Sequence, residues 1–143
     1  MAWIESHQSL ERHPKILLLK AKMRWSKNET VGFLHRFWWT VLEYSPNGEI
    51  STLSTVVMSE MLTVDLETMQ KTLAVMREIG LVDEYNGKLY IHDWWDYVGR
   101  YLTSKYHNAN PEFLNKIKEL YREIKRRPKG DLKDKKRRPK GDP

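Results

Sequence analysis

Two copies of Lys-Arg-Arg-Pro-Lys-Gly-Asp, at residues 125–131 and 136–142, hold the densest chemistry in this sequence. The first brings Lys125, Arg126, Arg127 and Lys129, the second Lys136, Arg137, Arg138 and Lys140. A proline in each copy keeps the backbone extended. Cations in such a row neutralise phosphates and release counterions, so affinity for nucleic acid falls with salt at a log–log slope of about −0.7 to −0.9 per phosphate. Eight of them suffice for tight attachment without sequence preference. The plainer alternative is a solvated solubility tail. Beyond Ile124 the only large apolar residue is Leu132, so this segment has no core to bury and is expected to be disordered.

A second set of groups lies on a helix read from Asp65 to Ile79, with Leu66, Met69, Leu73 and Met76 inward. Its outward face offers Thr68, Lys71, Thr72 and Val75, with Gln70 to one side. Lys71 suits guanine O6/N7 or a phosphate, and Gln70 suits adenine. Asp65 and Glu67 favour the helix dipole and repel phosphate, so a protein-contacting role for this helix stays open beside base reading. At the Asn86-Gly87 turn Lys88 is the one cation, beside Asp83 and Glu84, which fits a structural hairpin better than a DNA-touching wing.

His92-Asp93-Trp94-Trp95-Asp96 invites a metal or acid–base reading, but no second histidine lies at a helical ligand spacing. The structural alternative is preferred: His92 ends a strand and Asp93 caps a helix. His7 and His13 read as polar fixtures, His35 and His107 as lone residues. Trp3, Trp38 and Trp94 fall on apolar faces and read as core. Trp39 and Trp95 each follow a core tryptophan, so one of each pair is a candidate stacking or partner surface. There is no P-loop, nucleophile elbow, dinucleotide fingerprint or catalytic carboxylate pair, so neither an enzyme nor a cofactor is expected.

The elements that must position these groups follow from local signals. His13-Pro14 opens a first helix burying Ile16, Leu17 and Leu19, with Pro where its missing N–H costs nothing. Ser26 and Glu29 form a capping box for a second, whose apolar positions include Val31, Leu34, Trp38, Val41 and Leu42. Ser45-Pro46-Asn47-Gly48 is turn chemistry, and Glu49-Ile50-Ser51 reads as a brief strand. A third helix is expected over about 52–62, burying Leu53, Val56, Val57 and Met61. Gly80 ends the fourth. Residues 82–85 and 88–92 are hairpin arms around Asn-Gly, which favours a type I′ turn. A fifth helix begins after Asp93, with Trp94, Val98 and Leu102 on one side. A sixth begins at Asn110-Pro111, with Leu114, Ile117, Tyr121 and Ile124 as a heptad-like seam that either docks on the domain or forms a homodimer.

The fold class expected is mainly α with a small β-hairpin: a winged helix-turn-helix, then C-terminal helices and a disordered basic tail. The division predicted is 1–101 for the winged-helix domain, 102–125 for the helical extension and 126–143 for the tail. Net charge is +6, split unevenly: residues 1–99 carry 10 Lys/Arg and 13 Asp/Glu, residues 100–143 carry 15 and 6. Such asymmetry points to an anionic partner for the C-terminal third. Cysteine is absent, which excludes disulfides and thiolate metal sites and suits a reducing cytosol. Neither a signal peptide nor a membrane span is visible.

Three strings then stand out together: WIESHQSLERHPK at the start, LHRFWWTVLEYSPNGEI in the middle and LYIHDWWDYVGR after the hairpin. They resemble the winged-helix N-terminal domain of phage replication-initiation proteins, the DnaD-like replisome organisers. The likeness covers about residues 1–101. It rests on Trp3, His7, Leu10, His13, Pro14 and Lys15, then on Leu34, Trp38, Leu42, Gly48, Ile91, His92, Asp93, Trp94 and Gly99. It implies DNA binding in replication initiation, with replication proteins as partners. Members of the family are typically larger, with C-terminal parts linked to assembly and helicase recruitment, where this sequence has a short helix and the basic repeat. A protein-interaction module on the same scaffold and a phage transcriptional regulator are the alternatives.

Overall fold

The computed structural model describes residues 2–5 and 8–126. After a short 3-10 turn over Gln8–Arg12 come α1 (Pro14–Met23), α2 (Lys27–Tyr44), α3 (Thr55–Leu62) and α4 (Leu66–Ile79). A hairpin of β1 (Val82–Tyr85) and β2 (Lys88–Ile91) follows, then α5 (Trp94–Tyr106) and α6 (Pro111–Arg126). The chain is mainly helical with one small antiparallel sheet. His7, Arg127, Lys129, Lys136, Arg137, Arg138 and Lys140 lie outside the described residues.

Caps set most boundaries. His13 accepts from the Lys15 N–H at 3.1 Å with Pro14 at the first position of α1. Ser26 and Glu29 exchange both bonds of the capping box, at 3.0 and 2.7 Å. Asn110 accepts from the Phe113 N–H at 3.2 Å. Gly80 (φ 89°) closes α4 in the left-handed region. Asn86 (φ 52°) and Gly87 (φ 77°) form the two-residue turn with register Val82↔Ile91 through Tyr85↔Lys88. The brief strand at 49–51 is a single bridge, Glu49↔Tyr90, extended by Ile50 N–H to Leu89 O at 2.8 Å and Ile91 N–H to Gly48 O at 3.0 Å.

One core joins these elements. From α2 it takes Phe33, Leu34, Phe37, Trp38, Val41 and Leu42; Leu19, Met58, Met69, Met76, Ile91, Trp94 and Leu102 close on them. The 45–48 turn is its tightest joint. Trp94 Nε1 donates to Pro46 O at 2.8 Å, and the Tyr121 hydroxyl donates to Asn47 O at 2.6 Å. Gly48 sits there at φ 83°, and a Cβ on it would lie 2.1 Å from the Tyr121 oxygen. Leu114, Ile117, Tyr121 and Ile124 are all buried, so the α6 seam docks on its own domain and is not free for a second copy. The 101/102 boundary falls within α5.

Several expected faces are corrected. Leu17 is exposed, while Ile16, Leu19 and Met23 are buried. Ser54 caps α3, which starts at Thr55 and buries Met58, Ser59 and Leu62; Val56, Val57 and Met61 face out, and Leu53 is half-buried. A helix so apolar all round gives periodicity nothing to choose a face by. Leu66 in the first turn of α4 is exposed, whereas Thr72 and Val75 are buried. Trp3 is exposed, its ring edge-on to Tyr101. Asp93 stands at the start of α5 with φ 56° and makes no capping bond; its carboxylate instead lies 3.3 Å from His92 Nε2.

Candidate nucleic-acid interface

The outward face of α4 carries Gln70 and Lys71, both exposed, with Thr68 half-buried at its edge. Thr72 does not belong to it. A short β-branched side chain can bury its hydroxyl by bonding back along the helix, and Thr72 Oγ1 donates to Thr68 O at 2.6 Å. Its other neighbour is Met23, whose sulfur lies 3.9 Å away. That contact places the end of α1 against the N-terminal half of α4.

The consequence is a group of residues distant in sequence. Arg24 and Lys27, both exposed, follow Met23 in the turn to α2. Trp25 shares a cleft of about 320 Å³ with Asn28, Arg36, Thr63 and Thr68. Arg36 donates to Met61 O at 3.3 Å and reaches Thr63 Oγ1 at 3.5 Å, bracing the turn from α3 to α4. That turn is tight: Thr63 is left-handed at φ 58°, its N–H bonded to Glu60 O and that of Val64 to Ser59 O. Sequence reasoning missed Arg24, Lys27, Asn28 and Arg36, because only tertiary packing brings Asn28 and Arg36 to the Thr68 cleft and the residues after Met23 toward Thr72.

The acids here are occupied. Asp65 accepts from the Thr68 N–H at 2.7 Å, and this bond holds its carboxyl below the usual range. Glu29 is held by the Ser26 N–H. In sequence count Arg24, Lys27, Arg36 and Lys71 stand against Glu29, Asp65 and Glu67, so this end of the molecule is close to balanced. It can position a polyanion but cannot supply much of the affinity.

At the hairpin Lys88 is exposed, and its acidic neighbours are engaged elsewhere. Glu84 pairs with Arg77, and Asp83 accepts from His92 Nδ1 at 2.9 Å. The Tyr85 hydroxyl donates to Glu123 at 3.0 Å, tying the hairpin to α6. With Asp83 on one ring nitrogen and Asp93 on the other, His92 is fixed between carboxylates. Among the described residues no group of three His, Asp or Glu side chains is placed to hold a metal ion.

Lys125 lies 3.5 Å from Asp96 and Arg126 lies 3.2 Å from Glu119. Both pairs are exposed, and such pairs are worth at most about 1 kcal/mol, so phosphate can displace them. The structure thus leaves Gln70, Lys71, Lys88, Lys125 and Arg126 accessible. It does not bring all of them to one surface by any contact.

No family model, no curated protein and no solved structure matches the chain. The likeness to replisome organisers rests on the residue strings themselves. No helix among the described residues is long and apolar enough to cross a membrane.

Proposed function

We propose that this chain is a non-enzymatic DNA-docking module built on a winged helix-turn-helix, of the phage replication-initiation type that its sequence resembles. In this reading α3 and α4 are the helix-turn-helix, and α4 lays its N-terminal half in the major groove. The hairpin is the wing, completed by the Glu49–Tyr90 bridge. The basic repeat supplies affinity without sequence preference. The single observation that carries the reading is the exposed Gln70–Lys71 face of α4, with the end of α1 packed against the same half of that helix through Met23 and Thr72.

The test is fluorescence anisotropy on random duplex DNA across a salt series, with the full chain and with a chain ending at Arg126. Cutting there leaves the buried α6 seam intact. The cut removes eight cations, six from the repeats plus Lys133 and Lys135, and should make the log–log salt slope shallower by about 6 to 7. The shortened chain should still bind at low salt. An unchanged slope would remove the tail from the account, and no binding at all would remove α4.

A second reading has its own observation. Val56, Val57 and Met61 on α3 are exposed, and Leu66 follows at the start of α4. Contiguous exposed apolar side chains mark partner surfaces, so a protein-interaction module is the alternative. Val57→Glu should leave duplex binding intact under the first reading and abolish partner recruitment under the second.

A further inference from the structure

Trp39 is 54% exposed, although it follows the buried Phe37 and Trp38 in a helix that supplies six apolar side chains to the core. It borders a cleft of about 390 Å³ on the side formed by the end of α2 and the second half of α5. Tyr101 and Tyr106 line the cleft, with Lys105 between them; its ammonium lies 5.8 and 5.4 Å from their ring centroids. Trp3 backs Tyr101 edge-on at 5.1 Å and Phe113 backs Tyr106 edge-on at 4.9 Å, so the two tyrosines are braced from behind. Pro46 and Glu43 complete the wall, Glu43 being its one acidic lining residue.

Three aromatic side chains around a cation, in a volume within the range of small-ligand sites, offer flat π surfaces with a charge beside them. A nucleobase released from pairing presents such a face in return, and its phosphate finds the ammonium; bases stacked within a duplex cannot reach in. The surroundings favour a polyanion. The two helices α5 and α6 together carry seven Lys/Arg against four Asp/Glu. A cationic Pro-rich peptide, the other common occupant of aromatic grooves, would meet Lys105 and this positive limb as like charge. Glu43 repels phosphate from its own side, which directs the backbone toward Lys105 and a base edge toward the carboxylate.

We propose that the Trp39–Tyr101–Tyr106 cleft with Lys105 is a base-stacking site for single-stranded nucleic acid. It is a surface separate from α4, so duplex docking there can fail while this site stands, and the reverse.

The test uses the full chain and two probes of equal charge, an oligothymidylate of about ten nucleotides and an abasic deoxyribose-phosphate chain of the same length. Trp39→Ala should weaken oligothymidylate binding roughly tenfold and leave the abasic chain unchanged, because stacking is worth that order per base. Trp39→Phe, which keeps a π face, should restore most of the loss. Lys71→Ala should not affect either probe beyond the loss of one charge. A bromodeoxyuridine oligonucleotide photocrosslinked to the unaltered chain should give adducts at Trp39, Tyr101 or Tyr106, a readout that needs no variant to fold. Equal losses on both probes, no loss on either, or adducts confined to other residues would overturn the proposal. So would displacement of the bound oligonucleotide from Trp39 by a neutral Pro-rich peptide at lower concentration, which would mark a peptide groove.

Discussion

The two ends of α2 are built to opposite purposes. At its C-terminal end the 45–48 turn is locked by Trp94 and Tyr121, which donate to consecutive carbonyls, Pro46 and Asn47, with glycine as the one residue that fits between them. At its N-terminal end Arg24, Lys27, Gln70 and Lys71 stand in solvent beside a strained turn at Thr63. The 45–48 turn is held by fixed bonds, whereas the N-terminal end, like the Trp39 cleft beside that turn, leaves its side chains available. Stability and docking are therefore separable by substitution, since side chains that bind a partner are those the fold has not already engaged.

The largest effect should come at the locked end. Gly48→Ala must fit a Cβ against Tyr121 and Trp94 while holding φ at 83°. Overpacking and left-handed strain together should cost about 3 kcal/mol or more, read as a fall in the midpoint of chemical denaturation. If the variant keeps wild-type stability, the turn is not the joint described here. Tyr121→Phe comes next. It removes one hydroxyl and leaves the Asn47 carbonyl without its donor, for an expected loss of about 1–2 kcal/mol with unchanged DNA binding. Burial pushes the Tyr121 hydroxyl pKa up, so it remains a donor throughout the neutral range. A parallel loss of DNA affinity would show that the two ends are coupled.

The smallest effect lies at the open end and appears only in acid. The folded-state pKa of Asp65 is lowered by its bond from the Thr68 N–H. Its contribution to stability is present above the unfolded value of about 3.9 and is lost as pH falls through the folded value. Asparagine still accepts that bond without titrating. Asp65→Asn should thus flatten the decline in stability below about pH 4 and leave stability at neutral pH nearly unchanged. Identical acid profiles for the two chains would remove Asp65 from the account.

How far the sequence could be read differs along the chain for physical reasons. In α6 the polar residues are charged and the apolar ones recur by threes and fours, so Leu114, Ile117, Tyr121 and Ile124 were legible as a face. The hairpin was legible because Asn-Gly admits few other conformations. In α3 the five apolar side chains among eight are spread round the helix, so the face that packs is chosen by tertiary contact, and Val56, Val57 and Met61 were misplaced. Thr72 was misread because a hydroxyl that bonds to its own helix behaves as a core residue. Asp93 occupies the capping position, yet its left-handed backbone and the pull of His92 turn its carboxylate elsewhere. At the candidate interface Lys71 and Gln70 were legible from helix phase, while Arg24, Lys27 and Arg36 depend on how α1 and α2 pack near α4. Charge counting located the cationic third of the chain, but not the aromatic cleft of Trp39, Tyr101 and Tyr106, which forms only where α2 meets α5.

The central claim is that α4 reads DNA from the open end of the molecule. Its most direct test is selection from a random duplex pool by the full chain and by Lys71→Ala, at a salt concentration where the tail binds weakly. The account predicts an enriched sequence for the unaltered chain. For Lys71→Ala it predicts a relaxed preference of about 1–3 kcal/mol at one base pair, with stability and salt slope little changed. An equal loss on every sequence, or no enrichment by either chain, would contradict it.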